Sequence, residues 1–202
     1  MSLLNKLKSS FVSKKKIFKI SFIGLDQAGK SSVIQNILSN SFDETVNKRT
    51  LGMDVAKFEI NGLSFVAWDI GGQKGFRETV WQSYLQGSKG IIFVIDSADR
   101  VRLKESRLEF EKHIINNSLF QNVPVLILAN KQDKENALTI KELNDFFNIQ
   151  FIEKLSIKIF PISCKSGLNI NSAFDWLWGQ IFIAEQKNMT QIYSAPRLPI
   201  KI

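Results

Sequence analysis

Near-continuous apolar runs recur along the chain, at Phe18–Ile23, Gly90–Ile95 ("GIIFVI"), Val123–Ala129 ("VPVLILA") and Lys158–Ile162 ("KIFPI"). Runs without polar alternation suit strands buried on both faces, as in a parallel sheet covered by helices. Stretches of helical period separate them, near residues 31–39, 100–118, 139–147 and 169–187. Thr139 and Glu142 have the spacing of a capping box at the start of the third stretch. This alternation predicts a doubly wound α/β domain. One stretch departs from it. "DVAKFEINGLSFVAWDI" reads as two alternating strands joined by Asn61-Gly62, a strong signal for a two-residue hairpin. An antiparallel pair is therefore expected within an otherwise parallel sheet. The tail "SAPRLPIKI" is expected to be irregular.

Length and composition fit this picture: 202 residues suit one domain with a full core plus some tail, and 23% charged residues is ordinary for a globular chain. The single cysteine, Cys164, leaves no internal disulfide to form and fits a reducing compartment. No apolar stretch approaches the roughly 18 residues of a spanning helix, and the N-terminus lacks a secretory core. A cytoplasmic chain is expected. The net charge of +8 is unevenly placed. Residues 1–19 hold six lysines and no acid, residues 187–202 hold three basic residues, and the stretch between has a net charge of −1. A neutral body with basic ends argues against a nucleic-acid reader, which would carry its basic stripe on the folded surface.

The candidate chemistry lies between the elements. "GLDQAGKS", Gly24 to Ser31, has the pattern G-x-x-x-x-G-K-[ST] between a strand and a helix. There, backbone N–H groups around Asp26, Gln27, Ala28 and Gly29 would point at phosphate oxygens at a helix N-terminus. Lys30 would reach the outer phosphates, Ser31 would ligate Mg²⁺, and Ser32 completes the phosphate-binding turn. "WDIGGQ" ends the second hairpin strand. Asp69 would hold Mg²⁺ through water, Gly72 would meet a γ-phosphate, and Gln73 would orient the attacking water. "NKQD" follows the third apolar strand, at the sheet edge where such folds bind ligands. Asp133 could accept two hydrogen bonds from guanine, whereas adenine offers no such pair on that edge. Asn130 and Lys131 belong to the same loop, and the Lys131 stem can lie along a base. "SCKSG" follows the last strand, where the backbone of Ser163, Cys164 and Lys165 could donate to guanine O6.

Over roughly residues 17–185 the chain resembles the Ras superfamily and, within it, the Arf family. The residues that carry the resemblance are "GLDQAGKSS", "TLGMDV", "WDIGGQ", "VWQSYLQGSKGIIFVIDSADR" and "LANKQD". The resemblance implies a P-loop NTPase fold, the small G domain, with a six-stranded, mostly parallel sheet, one antiparallel strand, five main helices and helices on both faces. It implies a switch that binds GTP or GDP with Mg²⁺ and hydrolyses GTP slowly unless an activating protein assists. Thr50 would be the switch threonine that closes onto Mg²⁺ and the γ-phosphate, and Gln73 the catalytic glutamine. An exchange factor, a GTPase-activating protein and effectors are implied as partners, and a monomer is expected. A non-cycling guanine-nucleotide scaffold and a P-loop ATPase are the alternative readings; Gln73 with Thr50 opposes the first and Asp133 the second.

The chain also departs from the family pattern. Ser2 stands where the family commonly has a myristoylated Gly, and the C-terminus carries no prenylation box. Met53 replaces the Phe common in the family's effector triad, while Trp68 and Tyr84 match it. Cys164 replaces a common alanine and reads as packing. His113 has no partner cluster in sequence and reads as a surface or boundary residue. At least one of Trp176 and Trp178 is expected in the core. Arg77, Arg100 and Arg102 are not assigned as arginine fingers.

Placed on a helix, Leu3, Leu4, Leu7 and Phe11 form a stripe flanked by Lys6 and Lys8 and followed by Lys14-Lys15-Lys16. Residues 1–16 are therefore expected to bind a membrane surface, making the protein reversibly membrane-associated. The expected division is 1–16 membrane helix and linker, 17–187 G domain, and 188–202 tail.

Overall fold

Strand β1 (Ile17–Ile23) lies inside a six-stranded sheet. The computed structural model describes residues 17–39, 52–60, 63–153 and 155–194. Thr50, the turn Asn61-Gly62, residues 1–16 and residues 195–202 lie outside the described residues. The remaining strands are β2 (Met53–Ile60), β3 (Leu63–Ile70), β4 (Gly90–Asp96), β5 (Val125–Asn130) and β6 (Ile157–Pro161). Their order across the sheet is β2-β3-β1-β4-β5-β6. All neighbours pair in parallel except β2 and β3, whose antiparallel register runs from Met53 opposite Ile70 to Ile60 opposite Leu63. The expected hairpin is thus the edge of the sheet.

Side-chain alternation sends each strand's apolar residues to two cores. Phe18, Ile20, Phe22, Ile92, Val94, Leu126 and Leu128 pack on one face. Helices α1 (Lys30–Ser39) and α5 (Ile170–Ser194) cover them with Val33, Ile34, Phe174, Leu177, Trp178 and Ile181. Ile23, Ile91, Phe93, Ile95, Val125 and Ile127 occupy the other face. They meet α2 (Lys74–Leu85), α3 (Leu103–Phe110) and α4 (Ile140–Phe147) through Trp81, Leu85, Phe110, Leu143 and Phe147. Burial on both faces is why these strands are apolar throughout. On β2, by contrast, Ala56 and Phe58 are half-buried while Lys57 and Glu59 are exposed, which is the alternation of a strand with one solvated face.

Three local features differ from the sequence pattern. The helical period does not disclose α2, because its buried stripe is Arg77, Trp81 and Leu85, with an arginine in the first inward position. The stretch expected as one helix over 100–118 is α3 followed by a π-helical turn at Glu111–Ile115 and a 3₁₀ turn at Ser118–Phe120. In the π turn, Asn116 N–H donates to Glu111 O at 2.9 Å, and both His113 and Ile114 turn inward. His113 is therefore buried, not at the surface. Finally, α5 continues to Ser194 instead of ending near 187, since no proline or glycine stands between Lys187 and Pro196. The capping box at Thr139 and Glu142 is present, and Trp178 is core while Trp176 is half-buried.

Candidate functional site

Every loop that carries candidate chemistry leaves the carboxyl end of a strand, so the parallel topology gathers them at one edge of the sheet. The Gly24–Gly29 turn joins β1 to α1. Gln27 takes a left-handed φ of 63° and Gly29 a φ of 99°. A Cβ on Gly29 would stand 2.3 Å from the Asn130 side-chain nitrogen, so only glycine fits there. Lys30 Nζ is buried and donates to the carbonyls of Gly24 and Leu25, each at 3.0 Å. Burial pulls its pKa down to about 8, against the raising effects of Asp69 and Asp26. A phosphate bound against Lys30 would provide the charge partner that this burial favours.

Ser31 is the second residue of α1, and its hydroxyl donates to the buried Asp69 carboxylate near the end of β3. The hydroxyl and carboxylate are hard oxygen donors brought together beside the phosphate loop, a set that suits Mg²⁺. Ser32, on the next turn position, is half-buried. After β3, Gly71 N–H donates to Gly52 O at 2.7 Å, and Gly71 O accepts from Trp81 Nε1 at 2.9 Å. Gly72 O accepts from Asp26 N–H at 3.2 Å, and a Cβ on Gly72 would lie 2.2 Å from that nitrogen. The "WDIGGQ" turn therefore rests directly on the phosphate loop. Gln73 is half-buried at the start of α2, where its carbonyl accepts from Arg77 N–H at 2.9 Å.

The "NKQD" loop is tied to the phosphate loop by side chains. Asn130, the buried last residue of β5, donates to Ala28 O at 2.9 Å and accepts from Cys164 N–H at 3.2 Å. Lys131 has a left-handed φ of 68°, and its Nζ donates to Gln27 O at 2.8 Å and to Asp96 at 2.6 Å. The exposed Asp133 accepts from Ser163 Oγ at 2.6 Å, and that same oxygen accepts from Ser166 N–H at 3.2 Å. Lys165 is exposed. Cys164 is buried, and burial pushes its thiol up to about 12, in keeping with a packing role.

The sequence did not point to three parts of this frame. Asp96 pairs with Lys131, Trp81 holds Gly71, and Arg102 bridges Asp26 and Asp99. Asp96 could have been noticed as an acid at the end of an apolar strand. The contacts of Trp81 with Gly71 and of Arg102 with Asp26 join separate segments and leave no local pattern. Arg77 is buried against Glu105 and, at 3.7 Å, Glu109, and the exposed Arg100 lies 4.0 Å from Glu142. His113 stands 3.2 Å from Glu109 and edge-on to Trp81, so it does have partners, from two helices.

Residues 2–181 match the family model described as the ADP-ribosylation factor family. The chain belongs to the Arf family. It is 34% identical over 177 residues to the ADP-ribosylation factor-like protein alp41 of Schizosaccharomyces pombe, covering 88% of this chain and 92% of that one. It is 36% identical to the ADP-ribosylation factor-like protein 8c of Arabidopsis thaliana, covering 87% and 93%. Among solved structures, the Arl6 BBS3 small GTPase from Trypanosoma brucei with bound GppNp superposes with a TM-score of 0.73 at 26% identity, covering 82% of this chain and 98% of that one. This Arf-family protein is a small GTPase that binds GTP and GDP with Mg²⁺ and hydrolyses GTP.

On the GTPase's sheet edge, Met53 is half-buried opposite Ile70. Trp68 lies 5.7 Å from Tyr84, which stacks on Phe76 at 6.2 Å. Lys19 Nζ sits over the Trp68 ring at 3.9 Å. No described helix is long and apolar enough to cross a membrane.

Proposed function

We propose that this GTPase works as a membrane-recruited switch whose nucleotide occupies the cleft between the phosphate loop and the "NKQD" and "SCK" loops. The observation that carries this reading is the pair of side chains, Asn130 and Lys131, that bind the carbonyls of Ala28 and Gln27. They fix a base-reading loop at a set distance from a phosphate-reading loop, as recognition of one nucleotide requires. Gly24, Asp26–Ser32 and Gly72 surround the phosphates in this assignment. Asn130, Lys131, Asp133 and Ser163–Lys165 surround the guanine. Ser31, Thr50 and, through water, Asp69 hold Mg²⁺, which offsets the phosphate charge. Gln73 orients the attacking water. Asp133 accepts from the Ser163 hydroxyl with one oxygen, which orients the carboxylate for the base.

Residues 1–16 supply the membrane contact and residues 17–187 the switch, with 188–202 as a C-terminal extension. Four large apolar side chains, Leu3, Leu4, Leu7 and Phe11, at roughly 1.5–3 kcal/mol each when fully buried, suffice for reversible binding assisted by the lysines. In this reading the β2–β3 hairpin couples nucleotide state to the N-terminus by sliding along β1. A slide of two residues keeps every side chain on its own face. GTP-loaded protein then presents the face around Trp68 and Tyr84 to effectors at the membrane.

Flotation with anionic liposomes tests the proposal. Protein loaded with a non-hydrolysable GTP analogue floats and GDP-loaded protein stays in solution, while Leu4→Asp with Leu7→Asp abolishes flotation and spares nucleotide binding. Equal flotation of both forms would refute the coupling, and no flotation of either would refute the membrane role.

A further inference from the structure

The phosphate loop carries a carboxylate. Asp26 lies within the loop, and its N–H contacts Gly72 O, which places it on the side facing the turn assigned to the terminal phosphate. A negative charge there opposes a triphosphate more than a diphosphate, because the γ-phosphate adds charge at the near end. Arg102, just before α3, compensates it. Its Nη1 donates to Asp26 Oδ1 at 3.1 Å and its Nε to Asp99 Oδ2 at 2.6 Å. The other Asp99 oxygen accepts from Arg102 N–H at 3.1 Å, so the guanidinium is held by its own local turn. Burial alone pushes the Asp99 carboxyl up, but the hydrogen bonds and charge of Arg102 outweigh it and hold the group below the usual range. Leu25, Leu103 and Ser106 line the same small cavity as Asp26, Asp99 and Arg102, so the pair is only partly exposed to water.

We propose that Arg102 is a positioning residue for the terminal phosphate: it holds the Asp26 carboxylate against α3 and so sets the preference of the loop for GTP over GDP. Arg102 acts through Asp26 and does not touch the nucleotide. It differs in this from an arginine finger, which would have to leave two carboxylates to reach the phosphates. Without Arg102 the Asp26 carboxylate loses that cation, and its charge bears more strongly on the γ-phosphate.

The inference rests on the placement of the phosphates given above. The test measures affinities for GDP and a non-hydrolysable GTP analogue in the full-length protein, its Arg102→Met variant and the Asp26→Asn/Arg102→Met double variant. Arg102→Met is expected to lower analogue affinity relative to GDP by about fivefold or more at low salt, with the loss shrinking as salt screens the charge. The double variant is expected to return the ratio to within about twofold of wild type, because the amide carries no charge to compensate. An unchanged ratio in Arg102→Met, or a double variant as impaired as the single one, would overturn the proposal. If Arg102→Met does not fold, Arg102→Lys replaces it. That variant keeps one charge but cannot bridge both carboxylates, so the same rescue by Asp26→Asn is expected on a smaller loss, and its absence overturns the proposal equally. A wild-type protein that bound neither nucleotide would overturn the site assignment itself, and this inference with it.

Discussion

On the base side of the cleft, loops are fixed by side chains that cross from one element to another: Asn130 to Ala28 and Cys164, Lys131 to Gln27 and Asp96, Ser163 to Asp133. Asn130 ends β5, whose six residues are all buried, and Lys131 follows it. On the switch side, the described contacts of Gly71 and Gly72 are backbone hydrogen bonds and one from the Trp81 ring: Gly71 to Gly52, Trp81 to Gly71 and Asp26 to Gly72. They connect to β2, an edge strand with one neighbour and a solvated face. A neutral hydrogen bond contributes only about 0.5–1.5 kcal/mol net, so one can be exchanged for a ligand contact at little cost. A buried amide bonded on both ends is different, since removing it strands two polar groups. Under the proposed assignment, the contrast is between a base site built to stay and a switch built to be traded.

Asn130→Ala attacks the fixed side and should have the largest effect. It leaves Ala28 O and Cys164 N–H buried without their partner, at roughly 1–3 kcal/mol each. Thermal denaturation should show a clear loss of stability, and GDP and GTP affinities should fall together. Asp133→Asn should instead leave the fold intact and exchange guanine for xanthine nucleotides; unchanged GTP affinity would disprove the guanine assignment. Trp81→Phe attacks the other side. It keeps a six-membered ring and removes the pyrrole part with its N–H, so beyond a packing cost shared by both nucleotide states a shift of about 1 kcal/mol is expected in the GTP-to-GDP affinity ratio, with GDP affinity itself nearly unchanged. A matching loss of GDP affinity would mean that the two sides are not separable.

Two pH effects are smaller. Lys30 has its pKa lowered to about 8 by burial, and a bound phosphate raises it again. Near pH 8.5, nucleotide binding should therefore take up a substantial fraction of a proton, roughly 0.7 at most. Calorimetry in buffers of different ionisation enthalpy measures it, and Lys30→Met, if it retains binding, should abolish it. His113 is lowered by burial, only partly offset by Glu109, while Lys112 and Arg77 push in the same direction as burial. A folded pKa below the unfolded 6.5 means that the unfolded chain takes the proton more readily. Its contribution is complete above pH 6.5 and stability declines as the pH falls below that value. His113→Gln should flatten this part of the stability profile relative to wild type.

The base side was also the more legible in sequence. "GLDQAGKS", "NKQD" and "SCKSG" are contiguous, and each follows a strand visible as an apolar run, so motif and context reinforce each other. The hairpin was legible for the same reason, through alternation. What escaped was held by distant partners or by polar residues facing inward. Arg77 in the buried stripe of α2 hides the helix period, and His113, seven residues after the buried Ser106, is a polar residue on the inward face of its own helical stretch. Arg102 could be seen as a basic residue near the motifs, but its hold on Asp26, 76 positions away, has no trace in local spacing.

Hydrogen–deuterium exchange on the same protein loaded with GDP and with a non-hydrolysable GTP analogue tests the division most directly. Amides of Met53–Ile60, Leu63–Ile70 and Lys74–Leu85 should change their protection between the two states, while those of Val125–Asn130 and Ser163–Leu168 should keep theirs. Changes of similar size on both sides, or none in the hairpin, would contradict it.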